Sequence, residues 1–245
     1  MTLSYSMETL ALAAAIILFA HIIKGATGFA NALIAIPLLS LLFDVKFVVP
    51  MFLLFDFPSS GMIAYQHRHD IRWKVVLMVA SGLILGTIIG AYLLINLSND
   101  LLEPLFGVIV IGFGLNLLAK HHDPTRDGLH PSWGIVSGLL GGTTGGLLGM
   151  DGPILVMYLS RILGKTSFRA TLTSIFLLSS FWRGTLYVYG GILDLDQLLF
   201  ALGMTPFLVL GVIIGSRLQS VLSQRTFTMI VGVVLIFAGI LLIVG

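Results

Sequence analysis

The sequence contains no cysteine and has few charged residues, which make up only 10% of its 245 positions. Without cysteine there are no disulfides, no thiolate catalysis and no cysteine-bound zinc or iron–sulfur cluster. A soluble domain carries about 25% charged residues, so this chain has too few to cover a surface in water. Together with 57% hydrophobic residues and a mean hydropathy of +1.05, this composition predicts an integral membrane protein.

Basic residues exceed acidic ones by only two, 13 against 11. This excess is too small and too dispersed for a nucleic-acid surface. The segments between apolar runs are too short to hold a separate catalytic domain. No HExxH, GxSxG or phosphate-loop spacing occurs either. We therefore expect no catalytic residues, no metal site and no cofactor.

Long apolar runs fill most of the chain and are continuous, with no strand-like alternation. In hydrocarbon, only helices and closed barrels satisfy their backbone hydrogen bonds, and a helix needs about 20 apolar residues to cross. The pattern therefore predicts an all-α polytopic fold. The runs cover residues 9–23, 29–43, 47–66, 75–95, 104–119, 132–163, 168–189, 197–216 and 226–244.

The two halves of the chain resemble each other, which predicts an internal duplication. A shift of 125 residues aligns Leu85 and Gly86 with Leu210 and Gly211, and Gly90 with Gly215. Nearer the start of each half, GATGFANALIAIP (25–37) matches GGTTGGLLGMDGP (141–153) at an offset of 116. We predict a first repeat over 1–120, a cytoplasmic linker over 121–131 and a second repeat over 132–245.

The distribution of lysine and arginine predicts how the repeats are oriented, because cytoplasmic loops collect basic residues. Four full crossings per half would place two of the four basic loops on the wrong side. The conflict disappears if each half begins with a re-entrant hairpin, followed by three crossings that invert the second half. The arms 9–23 and 29–43 support this reading, since 15 helical residues reach about 22 Å of a roughly 30 Å core. The basic loops contain Arg68, Arg72, Lys74, Lys120, Arg126, Arg161, Lys165, Arg169, Arg217 and Arg225.

The hairpin tips are the predicted substrate site. Secondary transporters with inverted repeats bind substrate near the bilayer midplane, where interrupted helices meet. Glycine lets backbone N–H groups approach a ligand, and a helix N-terminus favours an anion. The alternatives are that the glycines serve close helix packing and that the threonines bond to their own helices. The residues predicted to bind substrate are Lys24, Gly25, Thr27, Gly28, Asn31, Thr143, Thr144, Gly145, Asp151 and Arg183.

Four ionisable residues lie inside the apolar runs or at the tips, where lipid exposure is unfavourable, so they should face the protein interior. Lys24 and Arg183 would contact the anion, although Lys24 could snorkel and Arg183 could pair with a carboxylate. Asp56, which precedes Pro58, is the first candidate to carry a coupling proton and could instead cap or pair. His21 is the second candidate, with a packed helical histidine as the alternative. Asp151 could also cap the returning arm.

The quoted motifs resemble a known family. GATGFANALIAIPLL (25–39) and GIVSGLLGGTTGGLLGMDGPILVMYLSRILGKTSFRAT (134–171) are similar to the paired glycine-rich repeats of the TauE/SafE sulfite exporters, also called TSUP transporters. The resemblance implies a carrier in the prokaryotic cytoplasmic (inner) membrane for sulfite, thiosulfate or an organosulfonate. The usual glycine runs are replaced in part by Lys24, Thr27, Phe29 and Asn31 in the first copy and by Asp151 in the second, which leaves the particular substrate open.

The predicted function is thus a secondary transporter, expected to export a small sulfur-containing anion through the lipid bilayer. A carrier of another small anion such as a carboxylate is the alternative within transport, and an intramembrane enzyme or accessory membrane subunit is the alternative outside it. Export could follow the membrane potential alone or a coupling proton. The sequence also leaves a homo-oligomer open.

The topology prediction places both termini and the loops 96–104 and 190–197 outside. Because the chain lacks cysteine, single cysteines report accessibility without background. Impermeant thiol reagents on intact cells should label Ser98→Cys and Gly191→Cys and should leave Thr125→Cys unlabelled. Labelling of Thr125→Cys from outside would contradict the inverted arrangement.

Overall fold

The computed structural model describes residues 6–119, 132–218 and 224–244, and throughout these ranges the regular structure is helical. The all-α prediction is therefore confirmed for this part of the chain, whereas the linker prediction at 121–131 lies outside it. A short 3-10 turn, Arg68–Asp70, precedes α4. The helices are α1 (Met7–Thr27), α2 (Asn31–Leu39), α3 (Val45–Gln66), α4 (Trp73–Asn96), α5 (Asn99–Ala119), α6 (Ser132–Leu148), α7 (Gly152–Ile162), α8 (Lys165–Tyr189), α9 (Leu195–Leu218) and α10 (Gln224–Val244).

Four of the described helices, α1, α3, α4 and α9, are long and apolar enough to cross a bilayer. One face of α4 carries large apolar side chains that the protein does not cover, including Leu85 at 59% exposure and Tyr92 at 65%. Such a face is favourable only in contact with lipid. The opposite face of α4 is buried and carries small residues, including Gly82, Gly86 and Gly90. Large apolar residues outside and small ones inside are typical of a lipid-facing helix, so the chain is a multi-pass membrane protein.

The predicted pair of 15-residue arms is wrong. α1 has 21 residues and spans about 31 Å, whereas α2 has only 9 and spans about 13 Å. Lys24 lies within the last turn of α1, which continues to Thr27, and a cation is favourable in that position. The N–H of Gly28 closes this turn by donating to the carbonyl oxygen of Lys24 at 2.7 Å. The length argument for a re-entrant first arm therefore fails for α1. The charge distribution alone now supports the re-entrant topology, which stays a prediction.

The predicted second tip, which runs from Gly141 through Pro153, is broken only in its later part. Residues Gly141–Gly146 lie inside α6, which continues to Leu148, so this part of the tip is helical. The break follows at Gly149, whose φ of 72° is in the left-handed region that glycine adopts without strain. α7 begins three residues later, at Gly152. The predicted tip was therefore longer than the observed break, because Gly142 and Gly146 serve helix packing against α4.

The described helices form two compact units, each of which takes helices from both predicted repeats. One unit contains α1, α2, the start of α3 through Phe52, α5, α9 and α10. We call it the first unit. The second unit contains the rest of α3 from Leu53, together with α4, α6, α7 and α8.

Both units contain a glycine-mediated contact between two helix backbones. In the second unit, a Cβ on Gly86 of α4 would collide with the carbonyl oxygen of Leu139 on α6. In the first unit, a Cβ on Gly215 of α9 would collide with the carbonyl oxygen of Ile22 on α1. These glycines leave no room for a side chain, so the interpretation that they allow close helix packing is confirmed.

The repeated contacts correct the internal alignment. Gly86 and Gly90 correspond to Gly211 and Gly215 at the predicted shift of 125. The bends at Gly28 and Gly149 lie 121 residues apart, as do the starts of α2 and α7. The predicted offset of 116 for the glycine-rich segments is therefore wrong, because it aligned the break of one segment with the helical part of the other.

Gly86→Ala should destabilise the protein, because its Cβ would meet the Leu139 carbonyl directly. Overpacking of this kind costs about 1 to 3 kcal/mol, so we expect a lower melting temperature for the purified protein in detergent. Gly203→Ala on α9 is the matched control, since a Cβ there meets nothing within 4 Å. Equal melting temperatures for Gly86→Ala and Gly203→Ala would show that α4 and α6 are not in backbone contact.

Candidate substrate site

The break between α6 and α7 leads directly into the first turn of α7. The N-cap residue is Asp151, but its side chain makes no capping hydrogen bond. The first N–H groups of a helix have no partner within the helix, and Pro153 in this first turn has no N–H at all. The positive end of the α7 dipole is therefore not neutralised by its own cap. The expectation that Asp151 caps the returning arm is wrong.

Arg183 lies beside this break and is only 1% exposed. Its Nη1 donates to the carbonyl oxygen of Gly145 at 3.0 Å, and its Nη2 lies 3.5 Å from Oδ2 of Asp56. Ser180 donates to the same oxygen of Asp56 at 2.7 Å and accepts from Nη2 at 3.3 Å. Helices α3, α6 and α8 thus hold one guanidinium in a fixed orientation, with its charge balanced by Asp56.

Asp151 faces the same cluster and is 3% exposed. Its carboxylate lies against Gly145, where a Cβ would stand 3.5 Å from Oδ2. Among the described residues, three buried atoms here have no hydrogen-bond partner: Oδ2 of Asp151, Oγ of Ser179 and Nε of Arg183. Unpaired polar atoms in a buried cluster are costly, so such groups call for an explanation such as an unseen ligand.

The cluster contains two acids, Asp56 and Asp151, and one base, Arg183, which gives a formal charge of −1 when both acids are ionised. Tyr187 adds no charge and donates its hydroxyl to the carbonyl oxygen of Gly146 at 2.7 Å. Two consecutive carbonyls near the C-terminal end of α6 are thereby occupied by side chains of α8. The negative end of α6 and the two carboxylates all surround one guanidinium.

The break between α1 and α2 belongs to the first unit. Lys24 lies in the last turn of α1 and is completely buried, and Asn31, the first residue of α2, is 2% exposed. Between them, Gly28 has a φ of 88° and Ala30 a φ of 74°. Ala30 is the one described residue other than glycine in the left-handed region, which costs about 1 to 2 kcal/mol. Strain at a buried break is typical of functional sites.

Several predicted polar ligands use their hydrogen bonds locally. Thr143 donates to the carbonyl of Leu139 at 2.9 Å, and Thr144 donates to that of Leu140 at 3.1 Å. Thr27 donates to the carbonyls of Ile23 and Phe29. The three hydroxyls bond back to nearby backbone, as the competing explanation held. Their assignment to substrate binding stays a prediction and gains no support from this geometry.

His21 has the surroundings of a packed helical histidine. Its Nδ1 lies 2.8 Å from the carbonyl oxygen of Ile17, one turn earlier in α1, and its ring centroid lies 6.0 Å from that of Phe52. A donated hydrogen bond to a carbonyl fixes the tautomer with the proton on Nδ1. This arrangement favours the packed-histidine interpretation over a proton relay.

The structure divides the predicted site residues between the units. The second unit brings together Asp56, Gly145, Asp151 and Arg183. The first unit contains His21, Lys24, Gly25, Thr27, Gly28 and Asn31. The prediction that Lys24, Asp56, Asp151 and Arg183 face the interior is confirmed, because each is at most 4% exposed.

Sequence reasoning missed three members of the cluster on α8, namely Ser179, Ser180 and Tyr187. Ser179 and Ser180 lie four and three residues before Arg183, and Tyr187 lies four residues after it. All three therefore share the helix face of Arg183. This spacing was available in the sequence. Serines are common in apolar helices, however, and the spacing becomes informative only when Arg183 is taken as the reference residue.

The fold and the cluster define a class, that of polytopic membrane proteins whose interrupted helices bury charged residues in the interior. Residues 13–242 match the family model described as "Sulfite exporter TauE/SafE". The match covers nearly the whole chain, so the chain belongs to the TauE/SafE sulfite exporter family. The probable sulfite/organosulfonate exporter TauE of Cupriavidus necator is 28% identical over 173 residues, which are 69% of this chain and 67% of that protein. No solved structure matches the chain significantly.

Two adjacent buried serines test the hydrogen bonds of the cluster. Ser180→Ala should lower the free energy of unfolding by about 1.5 to 3 kcal/mol, because it removes a hydrogen bond to a charged group. Ser179→Ala should cost less than 1 kcal/mol, since the Ser179 hydroxyl has no partner among the described residues. Reversible unfolding in mixed detergent would measure both. Equal costs would contradict the assigned pairing of Ser180 with Asp56.

Proposed function

We propose that the protein is a secondary transporter that exports a small sulfur-containing anion, such as sulfite, thiosulfate or an organosulfonate. Family membership and the printed function of the Cupriavidus necator relative support this class of substrate. The protein would lie in the prokaryotic cytoplasmic membrane with both termini outside, as the distribution of basic residues predicts. The proposal needs no enzyme chemistry.

One observation carries the proposal: each unit buries a basic side chain at a helix break. Lys24 is completely buried in the last turn before the Gly28 bend, and Arg183 is 1% exposed beside the Gly149 bend. A bound oxyanion would add charge-assisted hydrogen bonds to these two buried basic side chains. The helices that follow the breaks begin with N–H groups that also favour an anion.

Arg183 is well suited to a sulfur oxyanion. Its planar fork is oriented by Gly145 and Asp56, while its Nε has no partner in the described part of the chain. A guanidinium held in this way donates directional hydrogen bonds to the oxygens of a sulfite or sulfonate group.

Lys24 and the break after it form the corresponding element of the first unit. A lysine contributes a compact charge with three donors, and Asn31 adds an amide at the start of α2. We propose both as substrate ligands, with Gly28 forming the bend between them. Gly25 instead faces the backbone of α9, where a Cβ would stand 2.5 Å from the carbonyl oxygen of Val212. That the two breaks share one substrate molecule stays a prediction from the sequence.

Flux into liposomes tests the function. Purified protein in proteoliposomes should transport radiolabelled sulfite, thiosulfate or 2-hydroxyethanesulfonate faster than protein-free liposomes, and excess unlabelled sulfonate should compete. Competition by acetate alone would favour the carboxylate carrier. Absence of flux with every one of these anions, in protein that remains monodisperse, would favour an accessory subunit or an enzyme.

Lys24→Met tests the proposed ligand in the first unit. The change keeps most of the side-chain length and removes the charge, so anion affinity should fall by about 10- to 100-fold, which corresponds to roughly 1.5 to 3 kcal/mol. Lys46→Met is the matched control, because Lys46 lies at the start of α3, away from the break and partly exposed. Unchanged affinity in folded Lys24→Met would show that the lysine has a structural role only.

A further inference from the structure

Asp151 and Ser179 form a buried pair of polar groups whose hydrogen-bonding capacity is not used. Asp151 is 3% exposed and Ser179 is fully buried. Oδ2 of Asp151 and Oγ of Ser179 lie close to each other, yet neither meets hydrogen-bond geometry with any described residue. The side chain of Asp151 makes no capping hydrogen bond to its own helix, α7. An ionised oxygen buried in this way has no well-aligned donor to stabilise it.

Asp56 differs from Asp151 in each of these respects. Its Oδ2 accepts a 2.7 Å hydrogen bond from Ser180 and lies 3.5 Å from Nη2 of Arg183. Donors of this kind stabilise the ionised form of a carboxylate. Of the two acids around Arg183, Asp56 is therefore the fixed counter-ion and Asp151 is the acid that can change its protonation state.

The charged and titratable groups that face Asp151 come from three elements. Helix α8 contributes Arg183 and Tyr187, and α3 contributes Asp56. Helix α6 contributes backbone carbonyls at its negative end, and Gly145 and Gly146 already accept from Arg183 and Tyr187. On α7 itself, Tyr158 and Arg161 follow two and nearly three turns later. Arg183 thus stands between two acids, and a neutral Asp151 leaves it balanced by Asp56 alone.

We propose that Asp151 is the proton-binding residue of the transport cycle: its carboxyl is protonated while an anion occupies Arg183 and the first turn of α7, and it is ionised when the anion has left. The inference rests on the proposed transport of a small anion. It replaces Asp56 and His21, the acid and the histidine that the sequence favoured for proton coupling.

The physical reason is competition for one guanidinium. An ionised Asp151 repels an incoming anion and supplies negative charge to Arg183, whereas a protonated Asp151 does neither. The proton would reside on Oδ2 and be donated to Oγ of Ser179, which has acceptor capacity to spare. Proton binding and anion binding are therefore mutually favourable, and each must strengthen the other by the same factor.

The first test measures proton uptake in the wild-type protein. The probes are thiosulfate and 2-hydroxyethanesulfonate, because both keep their charge across the neutral pH range. Titration calorimetry in two buffers of different protonation enthalpy should show one proton taken up per anion bound. Above the titration of Asp151, the dissociation constant should rise about tenfold per pH unit. Anion binding with no proton uptake and no pH dependence would overturn the proposal.

Two substitutions assign the proton to Asp151. Asp151→Asn mimics the neutral acid, so it should bind the anion while losing both the proton uptake and the pH dependence. Asp56→Asn should keep the pH dependence, whatever its affinity. If Asp151→Asn retains the wild-type pH dependence, or Asp56→Asn loses it, Asp151 is not the proton-binding residue. Should Asp151→Asn fail to fold, Asp151→Glu replaces it. The dissociation constant of this variant should still rise about tenfold per pH unit, but over a different pH range.

The result separates this inference from the proposed function. If wild-type protein binds and transports the probes with an affinity that ignores pH, transport stands and the proton site falls. If affinity follows sodium at constant pH, the unused oxygens hold a metal cation and the proton site also falls. If neither probe is bound or moved, the proposed function fails and this inference fails with it.

Discussion

The close contact between helix backbones, made possible by glycine, is the constraint on which the rest of the structure depends. Where α4 meets α6 and where α1 meets α9, a single Cβ would collide with a carbonyl oxygen. These contacts hold α1 and α6 against long, apolar helices. An interrupted helix is tolerated inside a membrane only if the surrounding protein supports it, and the glycine contacts supply that support.

The same absence of side chains creates the polar cluster. Because Gly145 has no Cβ, the carboxylate of Asp151 can lie against it while Arg183 reaches its carbonyl oxygen. Gly146 offers its carbonyl to Tyr187 in the same way. Two glycines in one turn of α6 thus act as a surface on which α8 and the start of α7 place charged groups. Packing and chemistry depend on the same residues here.

The features that depend on hydropathy and charge could be predicted from the sequence. The features that depend on backbone conformation could not. Membrane insertion, the all-helical fold and the burial of Lys24 and Arg183 follow from the energetics of apolar surface and buried charge. The positions of the breaks do not, because glycine serves both packing and bending. Only a positive φ at Gly28, Ala30 and Gly149 distinguishes the bend from the helical glycines. The four ionisable residues were accordingly predicted as buried, which they are, whereas the threonines predicted beside them bond to nearby backbone.

Under the proposed function, the balance of charge around Arg183 would let the site favour anions without holding one permanently. A lone buried guanidinium would bind any anion too tightly for release, and a guanidinium fully paired with carboxylate would bind none. Asp56, fixed by Ser180, supplies one compensating negative charge and orients the fork. Asp151, which has no such donors among the described residues, leaves the remaining balance adjustable. A carrier must bind and release in every cycle, and the proposed pairing of one fixed acid with one adjustable acid would allow both.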